Sequence, residues 1–164
     1  VGALWSIGVV AEIALFAVSS RVVGRVGPVR LLVVAGMATA ARWSLMAFDL
    51  PLWATAMLQT LHAMSFGAAH LAAIHFLTHA VPEDRSATAQ GLYSAVVAGL
   101  VMGTVTLVCG PLYSRLGGEA YAVMAVLAAA GTVAAMLLSQ RWTGGLVVGH
   151  AQEEGQPQRA GEGG

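Results

Sequence analysis

Long apolar runs alternate along this chain with short knots of charge, glycine and proline. Five of the runs reach the length of a membrane crossing, since about 20 residues of helix cover a hydrocarbon core about 30 Å thick. They extend from Ala3 to Ser20, Val29 to Phe48, Pro51 to Val81, Ala87 to Tyr113 and Ala120 to Gln140. None alternates with period two, and a barrel strand needs only about 10 residues. Backbone groups in lipid must find partners within their own segment, which selects helix. The pattern predicts an all-α polytopic membrane helix bundle with five transmembrane helices, filling residues 1–142. The third and fourth runs exceed the core thickness, so tilt or projection into water is expected.

The knots are the connections. Arg21, Gly24, Arg25, Gly27, Pro28 and Arg30 read as a basic turn, and Asp49 with Pro51 as a tight one. Pro82 ends the third run, while Glu83 and Asp84 suit the start of the next helix, with Ser86 as a cap. Ser114, Arg115, Gly117, Gly118 and Glu119 make the last turn. Beyond Trp142 the chain is rich in Gly, Gln and Glu and has too little apolar area to order itself, so residues 143–164 are expected to be a disordered cytoplasmic tail.

Composition strengthens the membrane reading. Hydrophobic residues make up 57% and charged ones 10%, where a soluble domain carries about a quarter charged residues. Eight arginines, no lysine and eight acidic residues cancel, and without a basic surplus a nucleic-acid partner is excluded. Cys109 is alone, so no intrachain disulfide and no cysteine metal site can form. Alternating spans put Arg21, Arg25, Arg30, Arg85 and Arg141 on one side and Arg115 on the other; the first side is expected to be cytoplasmic. Trp5, Trp53 and Tyr121 then fall at the outer interface and Trp142 at the inner one, in the inner (plasma) membrane. The chain begins with Val, and its odd number of spans starts outside without a signal peptide, which reads as a truncation point.

Lipid tolerates ionisable groups poorly, at about 2.5 to 3.5 kcal/mol for a charge at a helix centre. Apart from Arg30 at the very start of the second run, two formal charges nevertheless lie within the runs: Glu12 in the first and Arg42 in the second. Counted from the basic turn they fall at broadly similar depths on antiparallel neighbours, so they are expected to pair. The pair serves either helix packing or a solute or proton pathway. In the third run Gln59, His62, Phe66 and His70 fall within an arc of about 80° at 100° per residue. Such a stripe is expected to face a cavity, with His62 and His70 able to carry protons near neutral pH. Satisfied interhelical hydrogen bonds are the alternative. His75 lies roughly opposite the stripe, and His79 with it belongs to the interface. Ala95, Gly99 and Gly103 recur every four residues and are expected to pack a neighbouring helix closely. Gly110 and Pro111 are expected to kink or end the fourth helix.

Leu61-His62-Ala63-Met64-Ser65-Phe66-Gly67-Ala68-Ala69-His70, together with Gly91-Leu92-Tyr93-Ser94 and Gly110-Pro111-Leu112-Tyr113, resembles the C-terminal half of a major facilitator superfamily transporter of the lactose permease and phenylpropionate permease branch. The resemblance covers about residues 4–140. It implies that the five runs are helices 8 to 12 of an incomplete six-helix half, and that the N-terminal half of the same transporter is a missing partner. It further implies that Glu12 binds substrate, Arg42 supports coupling and His62 joins their network. Where lactose permease relatives carry a coupling glutamate, three residues after the histidine, this chain has Ser65. The turn from Gly24 to Arg30 is similar to the superfamily's cytoplasmic loop but lacks its aspartate.

The function expected from these residues is proton-coupled symport of a small organic solute, an aromatic carboxylate or sugar-like molecule, by alternating access. The partners are that solute, protons and the lipid bilayer, with no cofactor and no metal. Protonating Glu12 or a histidine in a low-dielectric cavity would shift the balance of inward-open and outward-open states. Arg42 would hold a carboxylate bidentately or act as counter-ion to Glu12; Phe66 would stack on an aromatic solute. A non-transporting scaffold or a permease for metal ions lined by His62, His70, His75 and His79 are the competing readings. An intramembrane hydrolase would need a Gly-x-Ser-x-Gly or His-Glu-x-x-His element, and neither occurs.

Overall fold

The computed structural model describes residues 2–147. The predicted tail therefore lies outside the described residues from 148 onward. Its first five residues fold back on the bundle: the Val147 N–H donates to the Ala80 carbonyl at 2.9 Å.

All five apolar runs are helical, and no strand occurs among the described residues. The first run divides into α1 (Gly2–Ala17) and α2 (Ser19–Val26), bent by 68°. Part of the expected basic turn is thus helix. Its sequence explains this: Val23 is buried while Arg21 and Arg25 are exposed, so α2 is amphipathic and rests along the end of the bundle instead of prolonging α1. Gly27, at φ +81°, supplies a backbone conformation that a residue with a Cβ rarely adopts, and Pro28 opens α3 (Pro28–Met46) at a position where its missing N–H costs nothing.

The third run comprises α4 (Leu52–Thr60), a turn at Leu61, a π-helical segment over Ala63–Gly67, and α5 (Ala68–Ala80). The fourth is α6 (Glu83–Ser94), a second π-helical segment over Ala95–Val101, and α7 (Met102–Leu116). Pro111 sits inside α7 without ending it. Gly117, at φ +56°, turns the chain through a short 3₁₀ segment into α8 (Ala120–Arg141). By length and hydropathy, α3 and the helical run Glu83–Arg141 suffice to cross a membrane, and α1 with α2 suffice as a bent pair. The third run is interrupted at Leu61 and does not count as one straight span.

Helices α3 and α8 form the most extensive pair. They run antiparallel, because Trp43 near the end of α3 stacks on Tyr121 near the start of α8, with ring centroids 5.6 Å apart. Their contact depends on Gly36: a Cβ there would sit 2.5 Å from the Thr132 hydroxyl oxygen and 3.2 Å from its Cα. Small residues let backbones approach where lipid gives helices no hydrophobic reason to associate. The buried cluster is Val23, Leu31, Ala35, Ala68 and Ala72, joining α2, α3 and α5. The close packing expected of Ala95, Gly99 and Gly103 is absent, since all three are exposed and an added Cβ at either glycine meets nothing within 4 Å. Glycines that permit close approach stand instead at Gly8, Gly36 and Gly67.

Candidate functional site

Arg42 is 7% exposed on α3, with its guanidinium directed at the α4–π–α5 rod. Nη2 donates to Gln59 Oε1 at 2.9 Å, and Nη1 donates to Ser65 Oγ at 3.3 Å and lies 3.4 Å from His62 Nδ1. The cation also stands over the Trp43 ring, with Cζ 5.0 Å from the centroid. Burying an arginine is costly unless its donors are used, and neutral groups use most of them here. Nε is buried with no hydrogen-bond partner.

The other ring nitrogen of His62, Nε2, lies 3.8 Å from Glu12 Oε2. The expected direct pairing of Glu12 with Arg42 is therefore replaced by a relay with His62 between them. Among the described residues Arg42 has no carboxylate within 4 Å. The reason is steric. Gly8 and Gly67 bring α1 against the rod so closely that a Cβ on Gly8 would lie 3.1 Å from His62 Cβ, and one on Gly67 would lie 3.1 Å from Glu12 Cγ. Glu12 thus meets the rod before it can reach α3. The relay also selects a tautomer: arginine only donates, so Nδ1 must accept from Nη1, which leaves the proton of neutral His62 on Nε2, facing Glu12.

The π-helical segment begins right after His62. Single π turns widen a helix and often occur at functional sites. Ser65 lies in this one, within reach of Arg42, and its carbonyl accepts from the Thr39 hydroxyl at 3.3 Å. Beyond it the stripe becomes a ladder of rings. His62 stacks on Phe66 at 5.5 Å and 2°, Phe66 on His70 at 6.4 Å and 5°, and His70 meets Tyr93 of α6 at 5.9 Å and 35°. Phe66 and His70 are exposed. A cleft of about 260 Å³ opens beside them, lined by Ser65, Phe66, His70, Tyr93, Ser94 and Met102 among others.

The structure thus brings Glu12, Arg42, Gln59 and His62 into one polar contact chain and continues it through Phe66 to His70. Ser65, Trp43 and Tyr93 belong to the same arrangement and were not among the residues the sequence singled out as a site. Counting at 100° per residue puts Ser65 off the stripe, yet in the π-helical segment it lies within reach of Arg42; its polarity in an apolar run and its place three residues after His62 were the signals that pointed to it. His79 bonds through Nδ1 to the His75 carbonyl at 2.7 Å and takes no part. Among the described residues no group of three His, Cys, Asp or Glu side chains is arranged to hold a metal ion.

A family model described as the MFS_1 like family matches residues 1–125. The probable 3-phenylpropionic acid transporter of Escherichia coli (strain K12) is 34% identical over 128 residues, which cover 78% of this chain and 34% of that protein. The maltose permease of Geobacillus stearothermophilus is 37% identical over 124 residues, covering 75% of this chain and 32% of that protein. The chain spans about a third of the length of these curated relatives. No solved structure matches it.

Proposed function

This chain belongs to the MFS_1 like family of the major facilitator superfamily, a family of multi-pass membrane transporters and not of enzymes, and on that premise we propose that it contributes the coupling site of a proton-driven symporter for a small organic solute. The observation that carries the reading is the position of His62, an imidazole between the Glu12 carboxylate and the Arg42 guanidinium. Protonating Glu12 removes its attraction for His62 and leaves the imidazole facing only the Arg42 cation. Protonating His62 strengthens its tie to Glu12 and breaks its acceptor contact with Arg42. Each change alters the energies that hold α1, α3 and the α4–π–α5 rod together, and such differences are what shift a two-state equilibrium.

A solute carboxylate would find an unused donor in Arg42 Nε and displaceable ones in Nη1 and Nη2. Phe66, His70 and Tyr93 supply ring faces in the cleft that Ser65, an Arg42 partner, also lines, which suits an aromatic carboxylate of the kind named for the 3-phenylpropionic acid transporter. The maltose permease resemblance keeps a sugar-like solute as the second reading, with the Gln59 and Ser65 polar groups as its partners. The remaining half of the cavity is assigned to an N-terminal half of the same transporter, closing by rocking about a midplane site. The arginine-rich side is assigned to the cytoplasm of the inner membrane.

The test uses vesicles containing the complete transporter. Adding 3-phenylpropionate or maltose outside, at equal pH on both sides, is expected to make the external medium more alkaline as solute enters. Entry of solute with no accompanying proton movement contradicts the reading.

A further inference from the structure

We propose that the cleft between the start of α3 and the end of α8 binds the phosphate of an anionic phospholipid, in the leaflet on the arginine-rich side. The inference rests on the chain spanning a bilayer as proposed above, and on no step of transport. The cleft has a volume of about 370 Å³. Gly27, Pro28 and Arg30 form one wall, and Ser139, Trp142 and Thr143 the other.

The chemistry of the walls is that of a phosphodiester site. The Arg30 guanidinium offers donors in a rigid fork that matches phosphate oxygens, and the Ser139 and Thr143 hydroxyls add two more donors. Among the described residues that line the cleft, none carries a carboxylate. The Trp142 indole is held in place: its Nε1–H donates to the Gly145 carbonyl at 2.9 Å, and its ring meets Phe76 edge-on at 5.1 Å. Its N–H being spent, the indole presents apolar area, as tryptophans do at the level of lipid headgroups. At about 30 Å³ per water the cleft holds on the order of ten waters. That is more room than a bare phosphate fills, and the apolar Val26, Val29 and Trp142 in its lining suit glycerol and the first acyl carbons.

A second observation places the cleft at headgroup depth. Helix α2 leaves the line of α1 by 68°, keeps Val23 buried with Val22 and Val26 packed beside it, and turns Arg21 and Arg25 to the exterior. A short helix of that design lies in the plane of the interface, and it leads through Gly27 directly into the cleft wall.

Native mass spectrometry of the complete transporter, in detergent with equal amounts of palmitoyl-oleoyl phosphatidylglycerol and phosphatidylcholine, reads the site. Preferential retention of phosphatidylglycerol is expected. Arg30→Gln is expected to weaken that retention about fivefold, the effect of one arginine at an anionic surface. Ser139→Leu, which fills the cleft and keeps every arginine, is expected to weaken it comparably. Arg85→Gln, on the same side but outside the cleft and beside Asp84, is expected to leave it unchanged. Wild-type retention in Arg30→Gln or Ser139→Leu overturns the inference, as does an equal loss in Arg85→Gln, which signifies diffuse surface attraction. Release of the lipid by inorganic phosphate, but not by sodium chloride of equal ionic strength, overturns the lipid assignment in favour of a free anion. Because retention is read without transport, a transporter that binds lipid this way and moves no protons removes the proposed function and leaves this inference standing.

Discussion

At the scale of single residues the account turns on how a buried cation is satisfied. Arg42 meets Gln59, Ser65 and His62, none of them a carboxylate, and its Nε is left without a partner. Lysine carries the same charge but as a point, without the fork that reaches Gln59 and Ser65 together. Arg42→Lys is therefore expected to lower the initial uptake rate about tenfold or more, the worth of roughly one charge-assisted hydrogen bond, while the protein still inserts. Ser65→Ala removes a hydroxyl that accepts from Arg42 and donates to the His62 carbonyl, each at 3.3 Å, and is expected to cost about 1 to 3 kcal/mol, read as a shift of the solute's half-saturating concentration with insertion unchanged. The presence of Glu12, Arg42 and His62 was legible in the sequence because ionisable residues stand out in apolar runs. Their order of contact was not. Depth counting brought Glu12 level with Arg42, but it carries no information on which helices approach closest, and the glycines at positions 8 and 67 decide that.

At the scale of elements, close helix approach rests on particular glycines. A Cβ at Gly36 overlaps Thr132, so Gly36→Val is expected to destabilise the α3–α8 pair by about 1 to 3 kcal/mol, as overpacking does, with a lowered thermal unfolding midpoint in detergent. Gly99→Val meets open space within this chain and is expected to leave that midpoint unchanged. Spacing alone does not tell these glycines apart. Ala95, Gly99 and Gly103 have the regular interval of a packing face, whereas Gly8, Gly36 and Gly67 sit singly on three different helices and become a contact set only when those helices are assembled. The five helical runs were legible from hydropathy, because lipid leaves an apolar segment no other way to satisfy its backbone. The two π-helical segments, the turn at Leu61 and the bend at Val18 were not, since each is a local departure from the regular period on which the reading depends. The amphipathic α2 was hidden for another reason: eight residues with two arginines resemble a loop until Val22, Val23 and Val26 are seen to share one face.

At the scale of the whole molecule, the arrangement is a set of antiparallel helices with Arg21, Arg25, Arg30, Arg85 and Arg141 at helix ends, Arg115 at the end of α7, and an ionisable relay part-way along. Sidedness is directly measurable. In a Cys109→Ser background, Arg25→Cys is expected to react with a membrane-impermeant maleimide in opened cells and not in intact ones; labelling in intact cells contradicts the cytoplasmic assignment of that end. The resemblance to transporters was readable from the residues around His62, Tyr93 and Pro111 and is borne out by the family model over residues 1–125. Solute identity was not readable, because the chain spans only about a third of the length of the relatives it matches, and two relatives named for different solutes match it about equally well. The central claim is that Glu12 exchanges a proton in step with the movement of solute, and the most direct test is Glu12→Gln in the complete transporter, comparing uphill accumulation with solute exchange at equal concentrations. The account predicts that accumulation against a gradient is lost while exchange and membrane insertion persist. Accumulation equal to that of the unmodified protein would contradict it.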